Sequence, residues 1–231
     1  GLEDDWSEPV YADFDPSLSG PDQRYTGIQL ALSYDHQRTR GAHLYANLNY
    51  MIAGAMLEKV TAQDWRTLIS NRLFIPLVMD SAGFELPGTQ GLLDQPKGHS
   101  PNYSGQYVEN DFEHDLVFEP AGLVHLSLRS MANYADFHLR GFRGKGSDLA
   151  PETYAALYTP VEQTGYAFGW YANENRITHD GTNGHWYAQL EIDARKNTAI
   201  FAVTNGFNPN TYAETSVTLA LRSLKQRLDA M

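Results

Sequence analysis

Cysteine is absent from the 231 residues. Its absence excludes disulfides, thiolate zinc sites and a cysteine nucleophile, and leaves the compartment open. Basic residues are scarce beside acidic ones, 17 Lys and Arg against 28 Asp and Glu, for a net charge of −11. That balance is the reverse of a nucleic-acid footprint, so no nucleic-acid partner is expected. No stretch approaches the roughly 18 consecutive apolar residues that a spanning helix needs, so no membrane span is expected. Gly1-Leu2-Glu3-Asp4-Asp5-Trp6 is acidic and has no apolar core, so no secretory signal is expected in it. Internal repeats and low-complexity tracts are also lacking. Asp111, Glu113, His114 and Asp115 crowd together, but their spacing fits no metal-ligand template, and a solvated loop is expected instead. Neither a metal nor any other cofactor is expected. Arg140-Gly141-Phe142-Arg143-Gly144-Lys145 has no strand leading into it, so it reads as a surface turn rather than a phosphate loop.

What is present points to one domain, with loops and helices over residues 1–165 and antiparallel strands with a C-terminal helix over 166–231. Residues 1–40 read as irregular, with a short helix near Ile28–Ser33. Apolar residues at 48, 51, 52, 55, 56 and 60 fall at helical spacing. Thr61-Ala62-Gln63-Asp64 reads as a capping box for a helix carrying Trp65, Leu68 and Ile69, which Pro76 ends. Residues 85–120 show no period, and Pro120 to Leu123 lead into a turn. Leu128 to Leu139 and Tyr154 to Tyr158 read as helices, Gly141 to Gly146 as a loop, and Tyr166 to Tyr171 as a strand. Tyr187 to Asp193 alternates as a half-buried strand, Asp193 to Asn197 turns, and Thr198 to Thr204 returns. Ala213, Val217, Ala220, Leu221, Leu224 and Leu228 align on a C-terminal helix. His179-Asp180-Gly181 ends an inner strand, placing a polar side chain and bare backbone on the rim of a sheet.

The order of Tyr45-Ala46-Asn47, Glu58 to Thr61, Leu73 to Leu77, Met79, Gly83-Phe84, Pro120-Ala121-Gly122, Tyr166 to Trp170, His179-Asp180-Gly181 and Val203-Thr204-Asn205 resembles one family. It is that of the serine β-lactamase-related hydrolases of the class C type, which includes penicillin-binding proteins, D-aminopeptidases, esterases and amidases. The resemblance runs from about residue 40 to the end of the chain. It implies an α/β (α+β) β-lactamase/transpeptidase-like fold, present in part, with the C-terminal helix packed on an antiparallel sheet and a helical lobe carrying Tyr45.

The family's apparatus has a Ser-x-x-Lys nucleophile, a Tyr-x-Asn loop and a Lys/His-x-Gly strand. The five lysines here, Lys59, Lys97, Lys145, Lys196 and Lys225, follow Met56, Asp94, Phe142, Asp193 and Arg222 by three residues. None of those is Ser or Thr, and no Gly-x-Ser-x-Gly occurs. Gly1-Leu2 resembles the tail of a stretch that follows the nucleophile helix in the family. The chain is therefore expected to be the C-terminal portion of a longer protein, with the preceding segment as its partner. By resemblance, Tyr45 is the general base, Asn47 orients the missing lysine and donates to a substrate carbonyl, and His179 lines the opposite wall. Gly181 makes room for substrate, and the Thr182 N–H is an oxyanion donor.

Other readings of these residues stand beside those roles. Tyr-Ala-Asn recurs at Tyr171-Ala172-Asn173, where it reads as structural. Asn47 fits a helix N-cap, and His185 and Trp186 read as wall or core. His at position 179, mostly neutral at pH 7, ranks D-aminopeptidase, esterase and peptidase above β-lactamase and leaves those three open. The substrates implied are small amides, esters or D-amino-acid peptides, handled through an acyl-enzyme. The alternative is a non-catalytic binding or scaffold relative. By resemblance alone the compartment is periplasmic or extracellular; the oligomeric state is left open.

Overall fold

The computed structural model describes residues 14–33, 43–89, 91–161, 164–208 and 216–230. The architecture is mixed α/β with antiparallel pairing, and the chain packs as two units whose segments interleave. Unit one comprises Gly1–Pro76, Ala82–Leu86 and Glu113–His125; unit two comprises Leu77–Ser81, Pro87–Phe112 and Leu126–Met231.

In unit one, helices Gly20–Ser33 and Asn47–Thr61 pack with a 3-10 turn, Leu116–Phe118, that runs into a short helix, Glu119–Gly122. Phe14, Ala31, Leu48, Met51 and Val117 form their apolar core. The first helix begins well before the expected Ile28. The Ser19 hydroxyl accepts from the Asp22 N–H at 3.4 Å and donates to the Asp22 carboxylate at 2.6 Å, a local start signal for that helix. Gln23, fully buried, donates to the carbonyls of Pro16 and Leu18 and accepts from the Val117 N–H at 3.1 Å.

Arg24 is 1% exposed and Glu119 2%. The Arg24 guanidinium grips Glu58 through Nε at 3.0 Å and Nη2 at 2.5 Å, and Glu119 through Nη1 at 2.8 Å. Arg66 then bridges Glu119 at 2.5 Å to Glu85 at 2.6 Å. A buried charge survives only with such complete pairing.

The expected capping box at Thr61 is not formed. Thr61 belongs to the preceding helix and donates to the Leu57 carbonyl at 2.7 Å, and Ala62 closes that helix at φ 54°. The cap of the next helix, Trp65–Ile69, is Asp64, which accepts from the Thr67 N–H at 3.0 Å. That helix loosens into a π turn at Ser70–Phe74, before Pro76. Strands β1 (Gly83–Phe84) and β4 (Val124–His125) pair antiparallel. Pro120 to Gly122, expected to lead into a turn, are helical.

In unit two, β2 (His99–Pro101) and β3 (Tyr107–Glu109) form a hairpin within the stretch whose sequence shows no period. The main sheet is antiparallel, in the order β5 (Tyr171–Ala172), β6 (Arg176–Thr182), β7 (Tyr187–Asp193), β8 (Thr198–Thr204). The expected strand over Tyr166 to Tyr171 reduces to a single bridge between those two residues. Gly169, at φ 82°, reverses the chain between them.

β7 is not half-buried, as its alternation suggests, but covered on both faces. Leu190 and Ile192 join Ile177, Trp170, Phe137 and Tyr158 under helix Leu128–Phe142. Tyr187 joins Val217 and Leu221 of helix Ser216–Asp229 on the other face, where Lys225 reaches Glu191 at 2.6 Å. Both faces of a central strand sandwiched between helices become interior, so the polar positions of the alternation are buried too. Ala213 of the expected apolar stripe lies outside the described residues.

Helix Leu128–Phe142 is capped by Ser127 and runs past the expected Leu139 into the loop expected from Gly141. Arg140 pairs with Asp136 and Asp148 at the surface. Helix Pro151–Tyr158 packs its Tyr154 ring against Gly141 and Gly146, where side chains would collide with it.

Candidate functional site

On β6, Ile177, His179 and Gly181 share one face, since successive side chains alternate. Along that face burial fades: Ile177 is 0% exposed in the core, His179 is half-buried, and Gly181 is open. Outside Gly181's chain neighbours, no heavy atom of the described residues lies within 4 Å of where a Cβ would sit. Its φ is not positive either. Neither backbone geometry nor a described neighbour demands glycine at this place.

His179 is bounded by two tyrosines. The Tyr166 hydroxyl lies 3.2 Å from Nε2, and the Tyr171 ring stacks on the imidazole at 5.9 Å and 25°. Burial pushes the His179 pKa below the usual histidine value, with the neighbouring Asp180 charge opposing. The ring is thus neutral near pH 7. Thr182 turns the chain beyond it: its Oγ1 donates to the Trp186 carbonyl at 2.6 Å and accepts from the Gly184 N–H at 2.9 Å. Asn183 Oδ1 accepts from the N–H groups of His185 and Trp186. A cavity of about 530 Å³ opens between this turn and the tip of the β2–β3 hairpin, lined by Ser100, Asn102, Tyr103, Gly184 and Asn208 among others.

In unit one, Ala46 is extended at φ −150° and ψ 122°, and helix Asn47–Thr61 starts immediately after it. Ala46 and Leu48 are buried, which leaves Tyr45 and Asn47 half-buried on either side of this entry. Asn47 is the first helical residue rather than the N-cap. Ala46 holds the cap position and makes no side-chain cap bond.

The five sequence-derived residues therefore fall into two groups. Tyr45 and Asn47 stand at one helix entry, and His179, Gly181 and Thr182 stand at one strand end. Tyr166 and Tyr171 were missed as neighbours of His179. Register gives no signal for the contact: Tyr171 is the cross-strand partner of Thr178, which faces away from His179, so the stacking depends on how the short strand β5 returns. Asn173, in the second Tyr-Ala-Asn, accepts from the N–H groups of Asn175 and Arg176 and shapes that return, in its expected structural role. His185 is buried, and its carbonyl takes the His99 N–H at 3.1 Å. Among the described residues, no group of three or more metal-ligating side chains converges, and no helix is long and apolar enough to cross a membrane.

Comparisons with known proteins agree with this architecture. The chain is 21% identical over 210 residues to Protein flp of Staphylococcus aureus (strain COL), covering 82% of the chain and 39% of that protein. It thus spans about two fifths of the curated relatives it matches. A penicillin-binding protein from Bacillus halodurans superposes with a TM-score of 0.72 at 15% identity, covering 97% of this chain and 69% of that one. The D-amino acid amidase from Ochrobactrum anthropi SV3, complexed with D-phenylalanine, superposes at 0.71 with 15% identity, covering 100% and 69%. The octameric penicillin-binding protein homologue from Pyrococcus abyssi superposes at 0.69 with 18% identity, covering 94% and 49%. At these identities the structural matches speak for the fold alone. The Beta-lactamase family model matches residues 19–224, most of the sequence, and the chain belongs to that family.

Proposed function

We propose that the chain carries the base and one substrate-binding wall of a serine hydrolase that cleaves amide or ester bonds through an acyl-enzyme. The observation that carries this reading is the open face at Gly181. A glycine that neither the backbone nor a described neighbour requires leaves room for a ligand backbone to lie along β6. Beside it, the neutral His179 offers hydrogen bonding without a fixed charge. That favours acyl groups lacking a carboxylate over the penicillins that a lysine would hold, and so amidase, esterase or peptidase chemistry over β-lactamase. The D-amino acid amidase among the structural neighbours makes D-amino-acid amides and peptides the first substrates to try.

In this reading Tyr45 takes the nucleophile's proton, Asn47 orients the catalytic lysine and the substrate carbonyl, and the Thr182 N–H contributes to the oxyanion hole. No Ser-x-x-Lys occurs in these 231 residues, so in this reading the serine and lysine lie outside them, in a longer protein. The test is acylation by a fluorophosphonate and by D-amino-acid esters. The chain alone should give no burst, and the longer protein with an intact Ser-x-x-Lys should give one. A longer protein that never acylates would end the reading.

A second reading, a non-catalytic binding or scaffold relative, is favoured by one fact: no lysine here follows a serine or threonine by three residues. Binding of D-amino-acid peptides by the longer protein, without turnover, would support it.

A further inference from the structure

We propose that Tyr166 is a positioning residue for His179, donating its hydroxyl proton to Nε2 and so holding the imidazole as the tautomer with its proton on Nδ1. The hydroxyl oxygen stands 3.2 Å from Nε2, and the two rings meet edge to face, 6.1 Å apart at 67°. A phenol is a better donor than acceptor, and the bare nitrogen of a neutral imidazole is a strong acceptor. The direction of the bond follows from that pairing.

The holder is itself held. The Tyr166 N–H donates to Thr164 Oγ1 at 3.0 Å, and its carbonyl accepts from the Val161 N–H at 3.0 Å. A backbone bridge joins Tyr166 to Tyr171, and their rings meet at 5.0 Å and 78°. Tyr171 closes the box by stacking on the imidazole. A ring enclosed this way has little freedom to flip. The neighbouring charge, Asp180, projects from the opposite face of β6 and accepts from the Tyr187 hydroxyl at 2.9 Å. Burial adds to the effect by disfavouring the imidazolium.

The consequence for substrate choice rests on the hydrolase reading: an imidazole fixed as an uncharged donor suits a carbonyl acceptor better than a carboxylate. The tautomer itself does not rest on that reading, and its test needs no turnover.

The experiment is a long-range proton–nitrogen correlation spectrum of the chain labelled with ¹⁵N-histidine, with His179 assigned by its loss in H179Q. The expected spectrum has Nε2 of His179 unprotonated and Nδ1 protonated. In Y166F both nitrogens should move towards the intermediate shifts of exchanging tautomers, while His138 keeps its signals. A wild-type spectrum with Nε2 protonated, or with the two nitrogens already averaged, overturns the proposal. So does a folded Y166F with the wild-type pattern. Should Y166F fail to fold, the wild-type pattern alone decides. A chain and longer protein that never hydrolyse anything would remove the functional reading and leave this spectrum unchanged.

Discussion

The Tyr187 hydroxyl donates to Asp180 Oδ2 at 2.9 Å across the β6–β7 pair. The bond engages a carboxylate on the helix Ser216–Asp229 side of the sheet, while its neighbour His179 faces the other side with Ile177 and Gly181. Two residues adjacent in sequence thus serve different surfaces.

Gly141 and Gly181 should respond oppositely to alanine. A Cβ at Gly141 would come 2.2 Å from the Tyr154 ring. G141A should therefore cost about 1–3 kcal/mol by overpacking, despite the better helix propensity of alanine. G181A meets open space and should change stability by less than about 0.5 kcal/mol. In a hydrolysing longer protein, however, it should lower kcat/KM by about tenfold or more, a loss of about 1.4 kcal/mol in transition-state binding. Urea unfolding and steady-state kinetics on the two variants check both; an active G181A enzyme would deny Gly181 its role.

The buried pairing around Arg24 should be costly to open. R24M would take the Arg24 guanidinium from Glu58 and leave Glu119 that of Arg66, and should destabilise by about 3–5 kcal/mol. The unfolding midpoint in urea measures it, and a loss under about 1 kcal/mol would mean that the carboxylates find water or protons cheaply.

Acid should weaken the protein through His138. Its Nδ1 lies 3.0 Å from the Tyr158 hydroxyl, and burial pushes its pKa down to about 3. In the unfolded chain it titrates near 6.5. The native contribution is therefore complete above about pH 6.5 and declines as the pH falls towards 3, by at most ~1.4 kcal/mol per unit, because the unfolded chain binds the proton first. His179, shifted the same way but less buried, adds in the same direction. Unfolding free energies at several pH values should show a shallower slope for H138Q than for wild type. Equal slopes would place the acid sensitivity elsewhere.

Tyr45 provides the direct test of the base. In the longer protein, Y45F should fold normally and lower the acylation rate by about 10²–10⁴-fold. Burst kinetics with an activated ester measure this, and an undiminished burst would remove Tyr45 from the mechanism.

Much of this architecture could be read from the residues, where one local signal decided the matter. Apolar spacing marked helix Asn47–Thr61, and β-branched runs with a polar turn marked β7 and β8. Misreadings came where a tertiary partner decided. Glu191 looks solvent-facing until Lys225 and a covering helix arrive, 34 residues later. Tyr166 to Trp170 has strand composition, but Gly169 turns it back after one bridge. The capping-box spacing at Thr61 was real as a pattern, but Asp64 held the better geometry. At the candidate site, the motif residues were visible in the sequence. The tyrosines around His179 were not, because ring packing follows from how β5 returns and has no sequence period.

Burial of β7 on both faces also bears on accuracy. Side chains repeat every two residues, so a slip of one position between β6 and β7 would carry Ile192 out of one apolar cluster and push Glu191 into it. Both clusters therefore penalise the same error from opposite sides. Ile192 faces Ile177 and Ala188 faces Gly181 across the same ladder, so the packing also sets how far Gly181 stands from the turn. The rim inherits its precision from side chains that never reach it.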